Sequence, residues 1–181
     1  MATYFISDLH FGHENIIRQC ERPFSNVDEM NKTLIRNWNS KVSKEDDVYI
    51  LGDVAYRSKE DVASIVNRLN GRKHLIVGNH DEKNLKNQNF RDCFVSIDRY
   101  LRIVLDNRSL ILCHYPIAEW DGYFHGSYHI YGHIHNNRKN RVFEYLKDEE
   151  RALNAGADVI NFTPATFEEL IEYNKEFRDI E

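Results

Sequence analysis

The sequence predicts an α/β fold, and three observations lead to that prediction. The first half of the 181-residue chain alternates short apolar runs with amphipathic helical patterns, which is typical of parallel strands joined by crossover helices. The second half holds two apolar runs on either side of Asp106–Arg108, a pattern that indicates an antiparallel hairpin. A capping box at Thr166–Glu169 predicts a C-terminal helix. We expect one domain over residues 1–181.

Each predicted element rests on the spacing of its apolar residues and on the residues that bound it. The first apolar run ends at Asp8, as a buried strand does where it enters a polar loop, and Gly71 closes the second helical pattern. In chain order, the predicted elements are a strand at Thr3–Ser7, a helix at Asn26–Ser43, a strand at Asp47–Leu51, a helix between Ser58 and Gly71, strands at His74–Val77, Tyr100–Leu105, Ser109–Cys113, Tyr128–Tyr131 and Arg141–Tyr145, and a helix from Thr166 to about Phe177.

Composition excludes several classes of function. The formal charge of −5 disfavours a broad binding face for duplex nucleic acid, which needs clustered basic residues. Cys20, Cys93 and Cys113 are odd in number and widely spaced, so neither a disulfide framework nor a zinc knuckle is expected. The N-terminus meets a charge at Asp8, too early for a signal peptide, and no run approaches the roughly 18 apolar residues of a membrane span. We expect a cytoplasmic protein without a membrane partner.

Polar side chains follow five of the predicted strands at their ends. In open α/β sheets, ligands collect just outside the carboxyl ends of the strands. Residues two apart in an extended chain share a face, so we expect Asp8 and His10 to face one cleft with Leu9 buried, and His133 and His135 to do the same. The candidate metal ligands are Asp8, His10, Asp53, Asn79, His114, His133 and His135.

These donors are carboxylates, imidazoles and an amide, without a thiolate, which suits Mn²⁺, iron or Zn²⁺ better than copper(I) or an iron–sulfur cluster. Seven donors exceed one tetrahedral site, whereas two ions about 3.5–4 Å apart and bridged by a carboxylate would use them all. Two divalent ions outweigh the charges of Asp8, Asp53 and a bridging hydroxide, so the cleft would attract phosphate. Each residue alone is explained as a turn, cap or core residue, but five coinciding strand ends are not.

Five motifs occur in a fixed order along the chain: DLH (Asp8–His10), GD (Gly52–Asp53), GNHD (Gly78–Asp81), His114 and GHIH (Gly132–His135). As an ordered set they resemble the calcineurin-like metallophosphoesterases over residues 3–135. The tail NAGADV from Asn154 and the stretch HFGHENI from His10 also resemble small bacterial and phage members. The resemblance implies a four-layer sandwich of two mixed β-sheets flanked by helices.

The resemblance also implies a role for each motif residue. Asp53 would bridge two divalent ions, Mn²⁺ being the expected ion in vitro and Fe²⁺/Fe³⁺ or Zn²⁺ the others. His80 would be the general acid that protonates the leaving oxygen, with Asp81 orienting its ring. The implied reaction is attack of a metal-bound hydroxide on a phosphate ester. The first ion would be held by Asp8, His10 and His135, and the second by Asn79, His114 and His133.

Departures from the family pattern bear on the substrate. Asp53 continues as VAYRS instead of leading to the Asp-Arg-Gly of Ser/Thr protein phosphatases, and Asp81 stands where their motif has Glu, so protein phosphatase activity is in doubt. The chain is too short for a large cap domain, so we expect an open cleft and a small or flexible phosphodiester. A phosphomonoesterase, a single-strand nuclease and a non-catalytic protein-binding scaffold stay open as alternatives. Nucleic acid is not favoured as a partner.

Other residues are candidates for the walls of that cleft. His13 and Arg18 would either contact the substrate phosphate or lie in a solvated first turn of helix. His125 would contact the substrate or pack its own loop. The same two alternatives, base stacking or loop packing, apply to Trp120, Tyr123 and Phe124.

Overall fold

A computed structural model describes residues 1–179, which form two four-stranded β-sheets with helices around them. This confirms the α/β class and the two-sheet architecture flanked by helices. The strands are β1 (Thr3–Ile6), β2 (Asp47–Ile50), β3 (Arg72–Ile76), β4 (Ser96–Asp98), β5 (Tyr100–Leu105), β6 (Arg108–Cys113), β7 (Tyr128–Tyr131) and β8 (Ala152–Asn154). The α-helices are α1 (Glu14–Gln19), α2 (Val27–Lys41), α3 (Val62–Val66), α4 (Gln88–Arg91), α5 (Arg141–Leu146) and α6 (Phe167–Asp179).

The first sheet has the order β1-β2-β3-β4, and neighbouring strands are parallel. Helices α2, α3 and α4 lie in the three crossovers, as the alternating pattern of the first half predicts. Helix α3 begins after Asp61, within the predicted start, and Asp61 caps it by accepting a hydrogen bond of 3.0 Å from the backbone N–H of Ser64. The helix ends at Val66, before the predicted end at Gly71. Parallel pairing brings the carboxyl ends of the strands to one edge of the sheet, and the polar motifs follow those ends.

The second sheet has the order β5-β6-β7-β8 and is mixed. Strands β5 and β6 form the predicted antiparallel hairpin, with Leu105 opposite Arg108, whereas β6, β7 and β8 are parallel to one another. His114 therefore follows β6 at the same edge at which His133 and His135 follow β7. The hairpin and the parallel pair together place three imidazoles beside the loops of the first sheet.

The main hydrophobic core is shared by strands of both sheets, and β6 shows how the second sheet divides its two faces. Leu110 and Leu112 belong to the core cluster that also contains Ile6 of β1. Ile111, between them, packs on the opposite face in a smaller cluster with Phe143 of α5. This alternation is the period of two that a strand imposes on its side chains.

The segment after β8 joins the two sheets. Backbone hydrogen bonds run from Ser7 N–H to the carbonyl of Ala155 (2.7 Å) and from Phe5 N–H to the carbonyl of Ala165 (2.8 Å), so this segment pairs with the free edge of β1. Ala155 N–H also donates to the carbonyl of Tyr131 in β7, at 2.8 Å. Residues 155–165 are thereby held against the strand ends of both sheets, next to the polar motifs.

The predicted strand at Arg141–Tyr145 is wrong, because this stretch is helix α5. The side chain of Asn140 accepts a hydrogen bond from Val142 N–H (2.8 Å) and caps the helix. Phe143 and Leu146, three residues apart, are the buried side chains, which is helical spacing. The last strand of the sheet lies further along, at Ala152–Asn154, and three residues are too few to show an alternating pattern.

The C-terminal helix begins as the capping box predicts. Thr166 N–H donates to Glu169 Oε2 (2.8 Å), and Glu169 N–H donates to Thr166 Oγ1 (3.3 Å). Among the helices within residues 1–179, none combines the length and the apolar character that a membrane crossing requires. Cys20, Cys93 and Cys113 are free thiols.

A buried side-chain amide on α6 forms hydrogen bonds with backbone groups at the outer edge of β8. Asn174 accepts a hydrogen bond of 2.7 Å from Asn154 N–H and donates one of 3.0 Å to the Asn154 carbonyl, as another strand would do. Asn174 is about 1% exposed, so these backbone groups have no water to replace it. This one side chain therefore completes the edge of the second sheet beside the motif loops.

Asn174→Leu is expected to lower the free energy of unfolding by about 2–4 kcal/mol, because it leaves one buried N–H and one buried carbonyl without a partner. Urea unfolding followed by circular dichroism measures the difference. Lys175→Leu, on the exposed side of the same helix, is the matched control and should change the value by less than about 0.5 kcal/mol. Equal effects of the two substitutions would contradict the edge-capping role.

Candidate metal centre

The ends of the motif strands converge, and the imidazoles meet two buried carboxylates. Asp8 and Asp53 are 0% and 2% exposed. His10 Nε2 lies 3.5 Å from Asp53 Oδ2 and 3.9 Å from Asp8 Oδ1. His114 Nε2 lies 3.7 Å from Asp53 Oδ2, and His135 Nε2 lies 3.8 Å from Asp8 Oδ1. Around these carboxylates there are two sets of residues whose donor atoms lie within 4.8 Å of one another: Asp8, His10 and His135, and Asp8, Asp53 and His114.

Each carboxylate is held by one oxygen and presents the other to the imidazoles. Asp8 Oδ2 accepts a hydrogen bond from His133 N–H (2.9 Å), and Asp53 Oδ1 accepts one from His80 N–H (2.9 Å). Asp8 Oδ1 and Asp53 Oδ2 are the atoms that face the ring nitrogens. Backbone amides thus fix both carboxylates while leaving one oxygen of each directed at the same small volume.

Several donor atoms in this volume are buried and have no hydrogen-bond partner within residues 1–179. They include Asp8 Oδ1 and both ring nitrogens of His10. A buried polar atom without a partner carries a desolvation cost, and native structures retain few such atoms unless an ion or water satisfies them. Carboxylate oxygen and imidazole nitrogen are the ligands of borderline divalent ions. The unpartnered atoms therefore fit a metal ion.

The predicted alternation of these ligands is present, although the backbone that produces it is not extended. Leu9 and Ile134 are buried at 1% and 3% exposure, between residues that face the cleft. The facing residues have left-handed backbone angles, in which Asp and His are more common than most side chains. Their φ values are 57° for Asp8, 52° for His10, 55° for Asp53, 72° for His133 and 53° for His135.

Two glycines of the motifs permit close approach of the loops. A Cβ atom on Gly132 would lie 1.9 Å from Ser7 Oγ and 2.4 Å from Asp8 Oδ2. A Cβ atom on Gly78 would lie 2.4 Å from Asp53 Oδ1. Real Cβ atoms do not approach other atoms this closely, so any larger residue at either position would push a carboxylate away from the centre.

Burial controls the ionisation of the groups in the centre. Burial, aided by the positive field of His135, holds the pKa of His10 well below its usual range, so the ring is neutral and its nitrogens are available as ligands. Burial and then the neighbouring His114 lower the pKa of His133. Burial raises the pKa of Asp53, with a further contribution from the charge of Asp8 and against the influence of His114.

The remaining candidate ligands lie on the side of His114. The ring of His114 is fixed by its Nδ1, 2.7 Å from the carbonyl of Leu51, and its Nε2 is 3.1 Å from Asn79 Oδ1. The ring of His133 packs at 5.1 Å from that of His114 and at 4.7 Å from that of Tyr115. Asn79 and His133 are exposed, so this side of the centre is open to solvent.

His80 lies at the centre, but Asp81 does not orient its ring as predicted. His80 Nε2 is 3.8 Å from Asp53 Oδ2, and its side chain is 33% exposed. The carboxylate of Asp81 accepts hydrogen bonds from the backbone N–H groups of Gly78 (2.8 Å), Asp53 (2.9 Å) and Val54 (3.0 Å). Asp81 therefore joins the loops after β2 and β3, whereas the ring of His80 packs against those of Tyr56, at 4.4 Å, and His10, at 5.4 Å.

Sequence reasoning missed the contacts of Asp158 and Arg22 with this centre. Asp158 Oδ2 lies 2.8 Å from His135 Nδ1, and Asp158 Oδ1 accepts a hydrogen bond of 2.7 Å from Arg22 Nε. Burial opposes the charged form of His135, but the hydrogen bond to Asp158 and the charges of Asp158 and Asp8 outweigh it and raise the pKa of His135 to about 11. A cation that binds Nε2 of His135 must displace the proton that this nitrogen carries in the charged ring. The NAGADV segment, which contains Asp158 and resembles small members of the family, was the feature of the sequence that could have indicated a role for Asp158.

The candidates for the cleft walls divide into two groups. The His13 ring lies 5.3 Å from that of His10 and 4.7 Å from that of Tyr56, and burial, followed by the charge of His80, lowers the pKa of His13 to about 4. Arg18 is exposed on α1 and donates to Asn15 Oδ1 at 3.4 Å. His13 therefore lines the centre, and Arg18 lies on the solvated helix.

The loop between β6 and β7 is packed by its own side chains. Trp120 is buried, and its indole N–H donates to Ser127 Oγ at 3.0 Å, so its ring packs the loop. His129 accepts a hydrogen bond from Ile117 N–H (3.1 Å) and is a structural core histidine. The backbone N–H of His125 donates to the carbonyl of Gly122 at 2.8 Å, and its exposed side chain takes part in none of the side-chain hydrogen bonds or ring contacts described for residues 1–179.

Comparison with known proteins identifies relatives over nearly the whole chain. A family model described as the calcineurin-like phosphoesterase superfamily domain matches residues 1–169. An uncharacterized protein of Methanocaldococcus jannaschii is 35% identical over 182 residues, which cover 98% of this chain and 95% of that protein. The gene 66 protein of Mycobacterium phage D29 is 27% identical over 184 residues, covering 86% of this chain and 87% of the phage protein. A crystal structure of an Aquifex aeolicus protein of unknown function has a TM-score of 0.73 and 27% identity, covering 94% of this chain and 97% of that chain.

Asp81→Asn is expected to lower the free energy of unfolding by about 1–3 kcal/mol, because an amide offers one acceptor oxygen where three backbone N–H groups converge. His80→Ala should change it by less than about 1 kcal/mol, because the ring is partly exposed. Urea unfolding of both variants in the presence of a chelator makes the comparison. A fully stable Asp81→Asn protein would contradict the structural role of this carboxylate.

Proposed function

The chain belongs to the calcineurin-like phosphoesterase superfamily and is a metallophosphoesterase, and from that premise we propose that it hydrolyses a phosphodiester at a centre of two divalent metal ions. The observation that carries the proposal is the position of Asp53 Oδ2. This oxygen lies 3.5 Å from His10 Nε2 and 3.7 Å from His114 Nε2, so it faces an imidazole of each donor set. A carboxylate in that position is suited to bridge two ions.

We propose the ligand sets that the family resemblance implies. The donors of the first set lie within 4.8 Å of one another and are buried or partly buried. Of the ligands proposed for the second ion, His114 is buried, and Asn79 and His133 are exposed on the open side of the centre, where substrate would arrive. In this proposal Asp8, His10 and His135 hold the first ion, Asn79, His114 and His133 hold the second, and Asp53 bridges them.

When bound, two divalent ions would supply the positive charge that holds the phosphate and an activated water for the attack. The contribution of the chain is to orient the ester and to move one proton. His80 is suited to that proton transfer, because its ring is partly exposed to the cleft and its Nε2 lies 3.8 Å from Oδ2 of Asp53, the proposed bridging carboxylate. Tyr56 packs on this ring and restricts its orientation.

The arginines near the motifs favour a diester over a monoester. Arg138 stacks over Phe143 and Phe177, with its Cζ 5.8 Å and 5.5 Å from the ring centroids, and so supports α5 and α6. Arg57 lies over the ring of Tyr56, at 5.1 Å, and Tyr56 in turn packs on the ring of His80. One guanidinium suits the single charge of a phosphodiester better than the two charges of a monoester, which pairs of arginines usually bind.

The chelator-stripped protein refilled with Mn²⁺ is expected to hydrolyse bis-p-nitrophenyl phosphate with a kcat/KM at least about tenfold above that for p-nitrophenyl phosphate. The difference arises because a monoester dianion needs more cationic groups than this cleft offers. Release of p-nitrophenol with each ester measures the ratio. A strong preference for the monoester would contradict the diester assignment while leaving the metallophosphoesterase class intact.

Asp53→Asn should reduce the kcat for bis-p-nitrophenyl phosphate by at least about 100-fold, because an amide does not bridge two cations. His80→Ala should reduce it by about 100-fold to 10,000-fold through loss of the proton donor, with metal content unchanged. Asp106→Asn is the matched control for charge, since Asp106 lies in the hairpin turn at the opposite end of β6 from His114. Wild-type rates in Asp53→Asn would contradict the bridging role.

A further inference from the structure

We propose that Asp158 and Arg22 form a buried positioning pair that fixes His135 and Asp8, and thereby sets the affinity of the first metal site without setting that of the second. The inference rests on the proposed function, because it takes His135 and Asp8 as ligands of the first ion. It adds two residues outside the five motifs and assigns them a selective effect. Neither residue is a proposed metal ligand, and both act through His135 and Asp8, so both are positioning residues.

The contact of Asp158 with His135 determines which ring nitrogen faces the centre. Asp158 Oδ2 lies 2.8 Å from Nδ1, and Nε2 of the same ring lies 3.8 Å from Asp8 Oδ1. A carboxylate accepts hydrogen bonds and does not donate them, so Nδ1 carries the proton and Nε2 is left as the ligand atom. Carboxylates that bind metal-ligating imidazoles in this way fix the tautomer and the orientation of the ring.

Arg22 holds Asp158 and the end of β1 with one guanidinium. Its Nε and Nη2 donate to Asp158 Oδ1 and Oδ2 at 2.7 Å and 3.2 Å. Its Nη2 also donates to the carbonyl of Asp8 at 2.7 Å, and its Nη1 donates to the carbonyl of Leu9 at 3.0 Å. The side chains of Arg22 and Asp158 are 0% and 1% exposed. Movement of this pair would therefore displace His135 and the backbone of Asp8 together.

A cation does not fit in place of this pair, although Cys20, His135 and Asp158 have donor atoms within 4.8 Å of one another. Both carboxylate oxygens of Asp158 are engaged by Arg22, and Oδ2 is also engaged by His135. The guanidinium already supplies the positive charge that balances Asp158. A metal ion at this position would meet a buried like charge at close range, which is unfavourable in a low-dielectric environment.

The second site depends on a different contact. The His114 ring is oriented by the backbone carbonyl of Leu51, at 2.7 Å from Nδ1, and its Nε2 lies beside Asn79. The hydrogen bonds of Arg22 and Asp158 described above involve none of these residues. Loss of the Asp158 carboxylate should therefore weaken the first site and spare the second, which a general loosening of the fold would not do.

The test is a titration of chelator-stripped protein with Mn²⁺ by isothermal calorimetry, with electron paramagnetic resonance to count isolated and spin-coupled ions. Wild type should bind two ions per chain. Asp158→Asn should weaken one of the two sites by about 10-fold to 100-fold and change the other by less than about threefold, the size of effect that outer-sphere hydrogen-bond partners have on metal affinity. At low Mn²⁺ the variant should show isolated ions in the spectrum.

Asp46→Asn is the matched control, because Asp46 is also a buried carboxylate that binds backbone groups, including Ala2 N–H at 2.7 Å and Ser43 N–H at 2.8 Å. It should bind two Mn²⁺ ions with wild-type affinities even if it is less stable. Unchanged affinities in Asp158→Asn, or equal weakening of both sites, would overturn the inference. Failure of wild type to bind two ions would instead overturn the proposed binuclear centre, and this inference with it.

Arg22→Lys provides a second variant, since loss of the Asp158 charge leaves a buried guanidinium that threatens folding. Lysine keeps the charge beside Asp158 but does not bridge the carboxylate and the two carbonyls. Weakening of the same single site by about tenfold is expected, with cooperative thermal unfolding retained. Wild-type affinities at both sites in Arg22→Lys would overturn the inference independently of the outcome for Asp158→Asn.

Discussion

The burial of Asp8 and Asp53 beside a group of imidazoles is the constraint on which the rest of the structure depends. Two buried carboxylates near one imidazole repel one another and lose their hydration. Such an arrangement is stable only if nearby groups compensate for both effects. Backbone amides compensate one oxygen of each, from His133 to Asp8 and from His80 to Asp53. The other oxygens face imidazole nitrogens and fit a cation. The loops, glycines and left-handed residues around them maintain this arrangement.

The backbone at the centre is held by contacts that cross between loops. Residues with left-handed angles, such as Asp8 and His10, cost roughly 1 kcal/mol or more each and persist only where the surroundings fix them. Their N–H groups donate to the carbonyls of Gly52 and Asp53, both at 3.0 Å. Asp81 then ties the Asp53 loop to the loop after β3. The arrangement of the centre is therefore fixed by backbone contacts of the fold as well as by the metal-ligand side chains, and it does not require bound substrate.

The sequence predicts that the motif residues converge, and Asp8, His10, Asp53, His114 and His135 do lie close together, whereas it does not predict the contacts that support them. Strand-end position and donor type identify Asp8 and His135, because both are local properties of the chain. The prediction that Asp8 and His10 face the same cleft assumed an extended backbone. The two residues do face the cleft, but with positive φ angles, because side chains two residues apart share a face in this turn as well. The family resemblance implies that Asp81 orients His80, but the carboxylate of Asp81 accepts hydrogen bonds from three backbone N–H groups instead. The contacts of Asp158 with Arg22 and His135 join residues far apart in the chain, which local spacing does not encode.

In the proposed binuclear centre, one carboxylate bridges two ligand sets. Anomalous diffraction from crystals of the protein grown with Mn²⁺ would locate the ions. We expect two peaks about 3.5–4 Å apart on either side of Asp53 Oδ2, one beside His10 and one beside His114. A single peak, or two peaks that do not share Asp53, would contradict the proposed centre.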